Sequence, residues 1–209
     1  MTDLPPVVLA SASPRRRELL MPFFPGLVVE PPQVEERFLE GEPPHELVER
    51  LALAKARWGA SKHPCALVIG ADTVVVLDGE ILGKPSSREE VIGMLARLSG
   101  RWHQVITGLA LVMGEKELVS RAVTEVHFTP LSREEMEFYA ATGEPMDKAG
   151  AYGIQGIGGI FVSEIRGAYS NVVGLPLHLL YGLMGKMGWD MKDWMAVEFR
   201  GSQDPLSGR

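Results

Sequence analysis

The chain has 209 residues, 45% of them hydrophobic, and a formal net charge of −6. This length predicts one large domain or two small lobes with a substantial core, and the acidic balance argues against broad binding to nucleic acid. The sequence contains no apolar run of the ~18 to 20 residues that a membrane span requires, and its first residues lack the core of a signal peptide. With one cysteine and five scattered histidines, we expect no internal disulfide, no zinc site and a cytoplasmic location.

The first strong signal is a short strand followed by a cationic turn. Residues 7–9 form an apolar run, and Ser13 and Pro14 are the residue types that start a helix. A helix start of this kind presents free N–H groups and the positive end of the dipole, which bind anions. Residues 15–17 are three arginines in a position that the dipole disfavours, so the turn predicts an anion site. The alternative is a basic surface turn whose arginine stems lie on the protein.

The next two segments carry charged side chains. Glu35 and Glu36 are adjacent carboxylates in a proline-rich loop, for which a solvated acidic surface is the simpler interpretation. A helix is predicted from the prolines at 43 and 44 to residue 58, with Gly59 as its end. Lys55 falls on the apolar stripe of this helix, where an ammonium group must either reach solvent or contact an anion.

Residues 66–77 form a nearly continuous apolar run, which is typical of a buried strand. Asp72 and Thr73 interrupt its centre, and a carboxylate there needs a cation, a metal or other partners. A turn capped by Asp72 is the structural alternative. The strand is predicted to return through a hairpin turn at Asp78 and Gly79.

The remaining elements follow from caps, periodicity and turn residues. We predict helices at 87–98, capped by Ser87 and Glu90, at 132–143, capped by Ser132 and Glu135, and at 175–187. Strands are predicted at 104–113 and 117–128, which form one hairpin, and at 160–165 and 168–173, which form another. A glycine-rich segment at 147–159 lacks the spacing of a dinucleotide fingerprint. A domain of two lobes over 1–187 and a tail at 188–209 complete the predicted organisation.

This mixture of helices with antiparallel strands predicts an α/β fold with a mixed, twisted sheet and flanking helices. Charged residues of both signs stand out against the apolar pattern: Arg15, Arg16, Lys55, Lys84, Lys148, Glu35, Glu36, Asp72 and Asp147. Cations at a helix start suit a phosphate chain, and carboxylates suit a hard divalent cation that also binds phosphate oxygens. Phosphoryl chemistry requires both sets.

Four motifs together resemble the Maf family of nucleoside triphosphate pyrophosphatases. They are SASPRR, GADTVV with the following LGKP, LSG, and DKAGAYGIQG, and the resemblance runs from about residue 7 to residue 180. It implies a fold similar to that of inosine triphosphate pyrophosphatases, with two lobes around a deep cleft and commonly a homodimer. It also implies metal-dependent cleavage between the α and β phosphates, which yields a nucleoside monophosphate and pyrophosphate.

The resemblance also implies roles for individual residues. Asp72 is similar to the family's proton acceptor, Glu36, Lys55 and Lys84 to its other charged cleft residues, and Ser11, Arg15 and Arg16 to its phosphate-binding loop. We also include Lys148 among the expected substrate-binding residues. Asp72 and Glu36 are the expected ligands of Mg²⁺ or Mn²⁺. Because this chain has Glu35-Glu36 where the family often has Asp-Glu, the identity of the second metal ligand stays open.

Three residues resemble the branch of the family that acts on dTTP and UTP: Arg15, Thr73 and Gln155. The amide of Gln155 offers one acceptor and two donors, which match the O4 and N3–H groups shared by uracil and thymine. Its alternative role is to stabilise the loop. Two other functions are carried forward: the same chemistry on 7-methyl-GTP, and a nucleotide-binding regulator of cell division with incidental hydrolysis.

Overall fold

The computed structural model describes residues 4–199, with side chains described as far as residue 195. The strands are β1 (Val7–Ala10), β2 (Val28–Val29), β3 (Leu67–Leu77), β4 (Glu80–Leu82), β5 (Trp102–Met113), β6 (Lys116–Phe128) and β7 (Val162–Arg166). The helices are α1 (Pro14–Leu20), α2 (Pro44–Lys62), α3 (Arg88–Leu98), α4 (Arg133–Ala141), α5 (Tyr169–Val173), α6 (Leu177–Met187) and α7 (Lys192–Phe199). Short 3₁₀ turns occupy Glu144–Asp147, Ala149–Ala151 and Ile157–Phe161. No helix in this part of the chain has the length and apolar character needed to cross a membrane.

The seven strands form one mixed sheet in the order β2-β1-β3-β5-β6-β7, and β4 pairs separately with β3. β1 is parallel to both β2 and β3, whereas the other pairings are antiparallel. The prediction of an α/β fold with a mixed sheet and flanking helices is therefore confirmed. The hairpin between β3 and β4 also forms as predicted, with Asp78 and Gly79 at φ 52° and 83°, the positive values that such a turn requires.

One edge of β3 is only partly covered. β1 pairs along this edge as far as Gly70, and β4 begins to pair at Val75, while β5 covers the opposite edge from Val68 to Val76. Within the described part of the chain, residues 71–74 therefore have no strand partner on the first edge. Successive side chains of a strand point to opposite faces, so Asp72 lies on the α2 face of the sheet and Thr73 on the other.

Helix α2 lies very close to the sheet above this region. A Cβ atom on Gly70 would approach the Ala52 carbonyl oxygen to 2.3 Å, and one on Gly108 would approach the Val48 carbonyl oxygen to 2.1 Å. Only glycine allows this approach, which brings the inward face of α2 within reach of Asp72. The predicted end of α2 at Gly59 is wrong, because the helix continues to Lys62 with Gly59 buried in its interior.

Two hydrophobic clusters lie at opposite ends of β3. The first contains Leu67, Ile69 and Ala71 of this strand together with β1, α1 and α6. The second contains Val75 and Leu77 together with α3 and α4. The interruption at residues 72 and 73 falls between the clusters, and the division into two lobes stays a prediction.

The segment after α6 begins by packing against the first cluster. Met191 and Trp194 are buried there, and the Trp194 indole N–H donates to the Pro5 carbonyl oxygen at 3.2 Å. The predicted boundary at 187/188 stays a prediction, and residues 200–209 of the predicted tail lie outside the described part of the chain.

The strand predicted at 168–173 is wrong, because residues Tyr169–Val173 form helix α5. The β-branched pair at 172 and 173 favoured a strand, but tertiary hydrogen bonds decide the conformation. The Asn171 side-chain amide donates to the Val105 carbonyl and to the Thr124 hydroxyl, and the backbone carbonyl of Asn171 accepts from the Thr107 hydroxyl. β7 consequently pairs with β6 rather than with the segment that follows it.

Candidate functional site

A cavity of about 490 Å³ opens beside the uncovered edge of β3. All ten residues of the expected catalytic and substrate-binding set line this cavity: Ser11, Arg15, Arg16, Glu36, Lys55, Asp72, Thr73, Lys84, Lys148 and Gln155. Glu35, by contrast, is exposed, lies outside the cavity and forms an ion pair with Arg37. Glu36 is therefore the member of the acidic pair that faces the site. The roles of the ten residues stay predictions.

Two carboxylates converge on one lysine at the floor of the cavity. The Lys55 ammonium lies 2.6 Å from Asp72 Oδ1 and 2.5 Å from Glu36 Oε1. The side chains of Lys55 and Asp72 are only 6% and 11% exposed, whereas that of Glu36 is 50% exposed. Lys55 thus meets anions rather than solvent. The second oxygen of Asp72, Oδ2, has no hydrogen-bond partner among residues 4–199 and is available to a ligand.

The charge of Glu36 is stabilised by its surroundings. Partial burial opposes ionisation of this carboxyl group, but the hydrogen bond and the charge of Lys55, with smaller contributions from Lys84 and Arg16, lower its pKa below the ordinary value of 4.5. Glu36 is consequently a carboxylate at neutral pH. It lies on the loop between β2 and α2, which brings a negative charge across the cavity towards Asp72.

The start of α1 has the geometry expected of an anion site. Ser13 is the N-cap, its hydroxyl accepts the Arg16 N–H at 3.4 Å, and Pro14 occupies the first helical position. Arg15 is partly exposed at the cavity, with Nη1 3.7 Å from the Asp147 carboxylate. This weak, solvent-exposed pairing leaves the Arg15 guanidinium available for a ligand.

Arg16 is committed mainly to the protein itself. Its guanidinium donates to the carbonyl oxygens of Ala71 and Gly174 at 2.9 and 2.8 Å, and to the hydroxyls of Thr73 and Ser11 at 2.9 and 3.3 Å. Four of its five N–H groups are thereby used. Burial is the main effect on its pKa, which is lowered although Asp72 and Glu36 favour the charged form. Arg16 therefore joins α1, β3 and the end of α5, and one of its N–H groups has no partner among residues 4–199.

The glycine-rich segment closes the other side of the cavity. Lys148 donates to the Asp147 carboxylate and to the Glu144 carbonyl oxygen, both at 2.5 Å. Gln155 is exposed at the rim, and its side-chain amide makes no hydrogen bond to residues 4–199. We call residues 153–158, which carry Gln155, the glycine loop.

Sequence reasoning missed the residues that support these segments. Thr107 shares a hydrogen bond of 2.9 Å with Thr73, and Asn171 is fully buried beside it. Glu144 accepts two backbone hydrogen bonds from the glycine loop. The sequence does not identify such supporting residues, because each side chain bonds to a segment distant in sequence. Only the fold brings the asparagine and the glutamate against the segments that they support.

The oxygen donors at the floor fit a hard divalent cation. The described residues contain no cluster of three His, Cys, Asp or Glu side chains that could enclose a metal alone. Mg²⁺, however, is commonly held by one or two carboxylates, with phosphate oxygens and water completing its coordination. Asp72 and Glu36 are two carboxylates of this kind, joined by the Lys55 ammonium, and their role as metal ligands stays a prediction.

The fold and the cleft define a mixed α/β protein whose site is suited to a phosphorylated ligand, with cations at a helix start facing a pair of carboxylates. A family model described as "Maf-like protein" matches residues 6–187, and the chain therefore belongs to the Maf family. A dTTP/UTP pyrophosphatase of Symbiobacterium thermophilum is 55% identical over 183 residues, which cover 88% of this chain and 94% of that protein. A protein of the same name from Shewanella denitrificans is 51% identical over 189 residues, covering 86% and 95%. The Staphylococcus aureus Ham1 structure is 19% identical, with a TM-score of 0.44, over 58% of this chain and 71% of that one.

Proposed function

We propose that this protein is a nucleoside triphosphate pyrophosphatase that hydrolyses dTTP and UTP to the nucleoside monophosphate and pyrophosphate. The observation that supports it best is that the cationic start of α1 and the carboxylates joined by Lys55 line the same cavity. The proposed substrates, dTTP and UTP, are those in the names of relatives at 55% and 51% identity. Cations without the carboxylates would indicate only an anion-binding site.

The triphosphate would lie along the cationic side of the cavity. The N–H groups at the start of α1 and the guanidinium of Arg15 would hold the phosphate chain, because both present donors and positive charge to it. Lys84, which is exposed at the cavity, would add a third cation. These groups would neutralise the charge that develops on the pyrophosphate leaving group.

Asp72 would accept the proton of the attacking water. Its Oδ1 atom is held by Lys55, which fixes the carboxylate, while Oδ2 is available to a water molecule. As the water oxygen bonds to the α-phosphorus, the bond from that phosphorus to the bridging oxygen breaks. Asp72 then holds the proton, and the electron pair leaves with pyrophosphate.

A divalent cation, Mg²⁺ or Mn²⁺, would be held by Asp72 and Glu36 and would supply Lewis-acid polarisation of the phosphate oxygens. Lys55 would keep the two carboxylates together in either state, since its ammonium already bonds to both.

The base would be recognised at the rim by Gln155. Its free amide can donate to O4 and accept from N3–H of uracil or thymine, a pattern that cytosine reverses. A site built on such hydrogen bonds rejects a base that lacks them by roughly 10⁴ or more. Thr73 and Lys148 would complete the substrate site, with Thr73 held in place by Arg16 and Thr107.

On the family resemblance we also propose a homodimer that acts in the cytoplasm. Light scattering coupled to size-exclusion chromatography would measure the mass directly. A mass near the 22.9 kDa of the single chain would reject the dimer.

The decisive experiment measures pyrophosphate release from UTP, dTTP, CTP and 7-methyl-GTP with and without Mg²⁺. We expect hydrolysis of UTP and dTTP only with the metal, and Asp72→Asn should stay folded, with Lys55 still bonded to Glu36, while losing about 10³-fold or more in kcat. Preference for 7-methyl-GTP would assign the chain the other substrate. Tight, saturable nucleotide binding without pyrophosphate release would favour a regulator. Turnover by Asp72→Asn at the wild-type rate would remove Asp72 from the mechanism.

A further inference from the structure

The glycine loop is held in place by a carboxylate behind it. Glu144 does not line the cavity, but its Oε2 atom accepts the Ile157 N–H at 2.9 Å and its Oε1 atom accepts the Gly158 N–H at 3.1 Å. The buried Tyr139 hydroxyl donates to the same Oε1 at 2.8 Å and accepts the Gly153 N–H at 3.1 Å. Three backbone N–H groups of the loop therefore bond to this pair of side chains.

The glycine loop also packs closely against the side chains of Glu144 and Tyr139. A Cβ atom on Gly156 would lie 2.4 Å from Glu144 Oε2, and one on Gly158 would lie 2.6 Å from the Tyr139 hydroxyl oxygen. The loop thus lies directly against both polar groups, and its glycines are what permit this. Gln155 lies between the loop N–H groups that are held, and its side chain is left exposed at the cavity rim.

The carboxylate form of Glu144 is the one that the loop needs. Partial burial raises its pKa, but the Ile157 and Gly158 hydrogen bonds, with that of Tyr139 and the charge of Lys148, outweigh burial and lower the pKa overall. An ionised carboxylate offers only acceptors, which match the two N–H groups and the hydroxyl. A glutamine would turn an NH₂ group towards one of these donors.

We propose that Glu144 is a positioning residue for base recognition. It acts through the glycine loop, by holding Gln155 where its side-chain amide can bond to the hydrogen-bonding edge of the pyrimidine. The proposal rests on the proposed function and extends it to a residue outside the cavity. Among residues 4–199 the Glu144 side chain makes no hydrogen bond to the phosphate-binding groups of α1, so its loss should affect the choice of base more than cleavage of the phosphate chain.

The test is a double-mutant cycle between Glu144→Gln and Gln155→Ala, read as the ratio of kcat/KM for UTP to that for CTP. Glu144→Gln should lower this ratio about tenfold, equal to about 1.4 kcal/mol. It should lower the ratio no further in a Gln155→Ala background, because two residues that act as one unit are not additive. Glu137→Gln, which removes an exposed carboxylate of α4, is the matched control.

Amide hydrogen exchange at 153–158 separates this proposal from the proposed function. Glu144→Gln should speed exchange at Ile157 and Gly158, and Tyr139→Phe, the milder change, should speed exchange at Gly153. Unchanged exchange, or equal losses for UTP and CTP that add to those of Gln155→Ala, would overturn the positioning role. Failure of the wild-type protein to release pyrophosphate from UTP or dTTP would reject the proposed function, while exchange would still report whether Glu144 holds the loop.

Discussion

Replacing Lys55 with methionine removes the positive charge between two carboxylates while keeping most of the side-chain volume. Breaking a buried ion pair by removal of one partner costs about 3–5 kcal/mol, because the other charge is left uncompensated. Asp72 is 11% exposed and faces the cavity, and Glu36 is 50% exposed, so the lower end applies. We expect a loss of about 3 kcal/mol, or about 6 to 12 °C in melting temperature for a chain of this size.

Calorimetry at pH 7.5 in the presence of a chelator measures this loss. Lys62→Met on the same helix is the matched control, because Lys62 is exposed at the end of α2 and packs over Trp58. Saturating Mg²⁺ should restore stability to Lys55→Met, by about 2.7 kcal/mol at a concentration 100 times the dissociation constant. A melting temperature within about 2 °C of the wild type would refute the inference that Lys55 neutralises the carboxylates. Equal losses for Lys55→Met and Lys62→Met would refute it as well.

Three further outcomes follow from the structure. Arg16→Lys should lower the free energy of unfolding by at least about 2 kcal/mol in denaturant titration, because a lysine cannot bond to the carbonyl oxygens of both Ala71 and Gly174. Arg15→Ala should instead raise KM and leave the melting temperature unchanged. Gly108→Ala should unfold the protein or destabilise it by about 3 kcal/mol, while Gly182→Ala, with open space around it, should be neutral or stabilising by circular dichroism. Because the folded pKa of Glu36 is lowered, its contribution to stability is present above pH 4.5 and is lost as pH falls through the folded value. Glu36→Gln should flatten that part of the stability curve.

Local sequence signals predict most of the helices and strands, because the residues that start and end these elements are neighbours in the sequence. Ser13 and Pro14 start α1, and the reciprocal hydrogen bonds between Ser132 and Glu135 form the predicted capping box. The predicted box at Ser87 is only half present. Its hydroxyl accepts the Glu90 N–H, but the Glu90 carboxylate accepts from Ser86 instead.

The errors arise where distant segments decide the conformation. Helix α5 was predicted as a strand because the sequence shows its β-branched residues but not the hydrogen bonds that Asn171 makes to β5 and β6. The buried Gly59 was predicted to end α2, although its role is to admit the Val68 side chain, which would lie 2.7 Å from a Cβ atom there. In both cases a tertiary contact outweighs the local preference.

The candidate site likewise contains residues that the sequence predicts and residues that it does not. Its charged residues stand out in the sequence because they interrupt apolar patterns, and the motifs that they form resemble those of one family. The support from Glu144, Thr107 and Asn171 does not stand out, since a half-buried glutamate or a buried threonine has no pattern of its own. The sequence therefore predicts which groups face the ligand better than it predicts which groups hold them.

The uncovered edge of β3 explains why Asp72 and Thr73 interrupt an otherwise apolar strand. β1 ends opposite Gly70 and β4 ends at Leu82 opposite Val75, so the short strand at one end of the gap and the hairpin at the other leave space for a ligand between them. Asp72 reaches Lys55 on the α2 face, and Thr73 reaches Arg16 on the opposite face. The strand thereby presents a carboxylate to one wall of the cavity and an arginine-bound hydroxyl to the other. A longer β1 would pair with residues 71–74, close the space, and bury the carboxylate without room for water or phosphate.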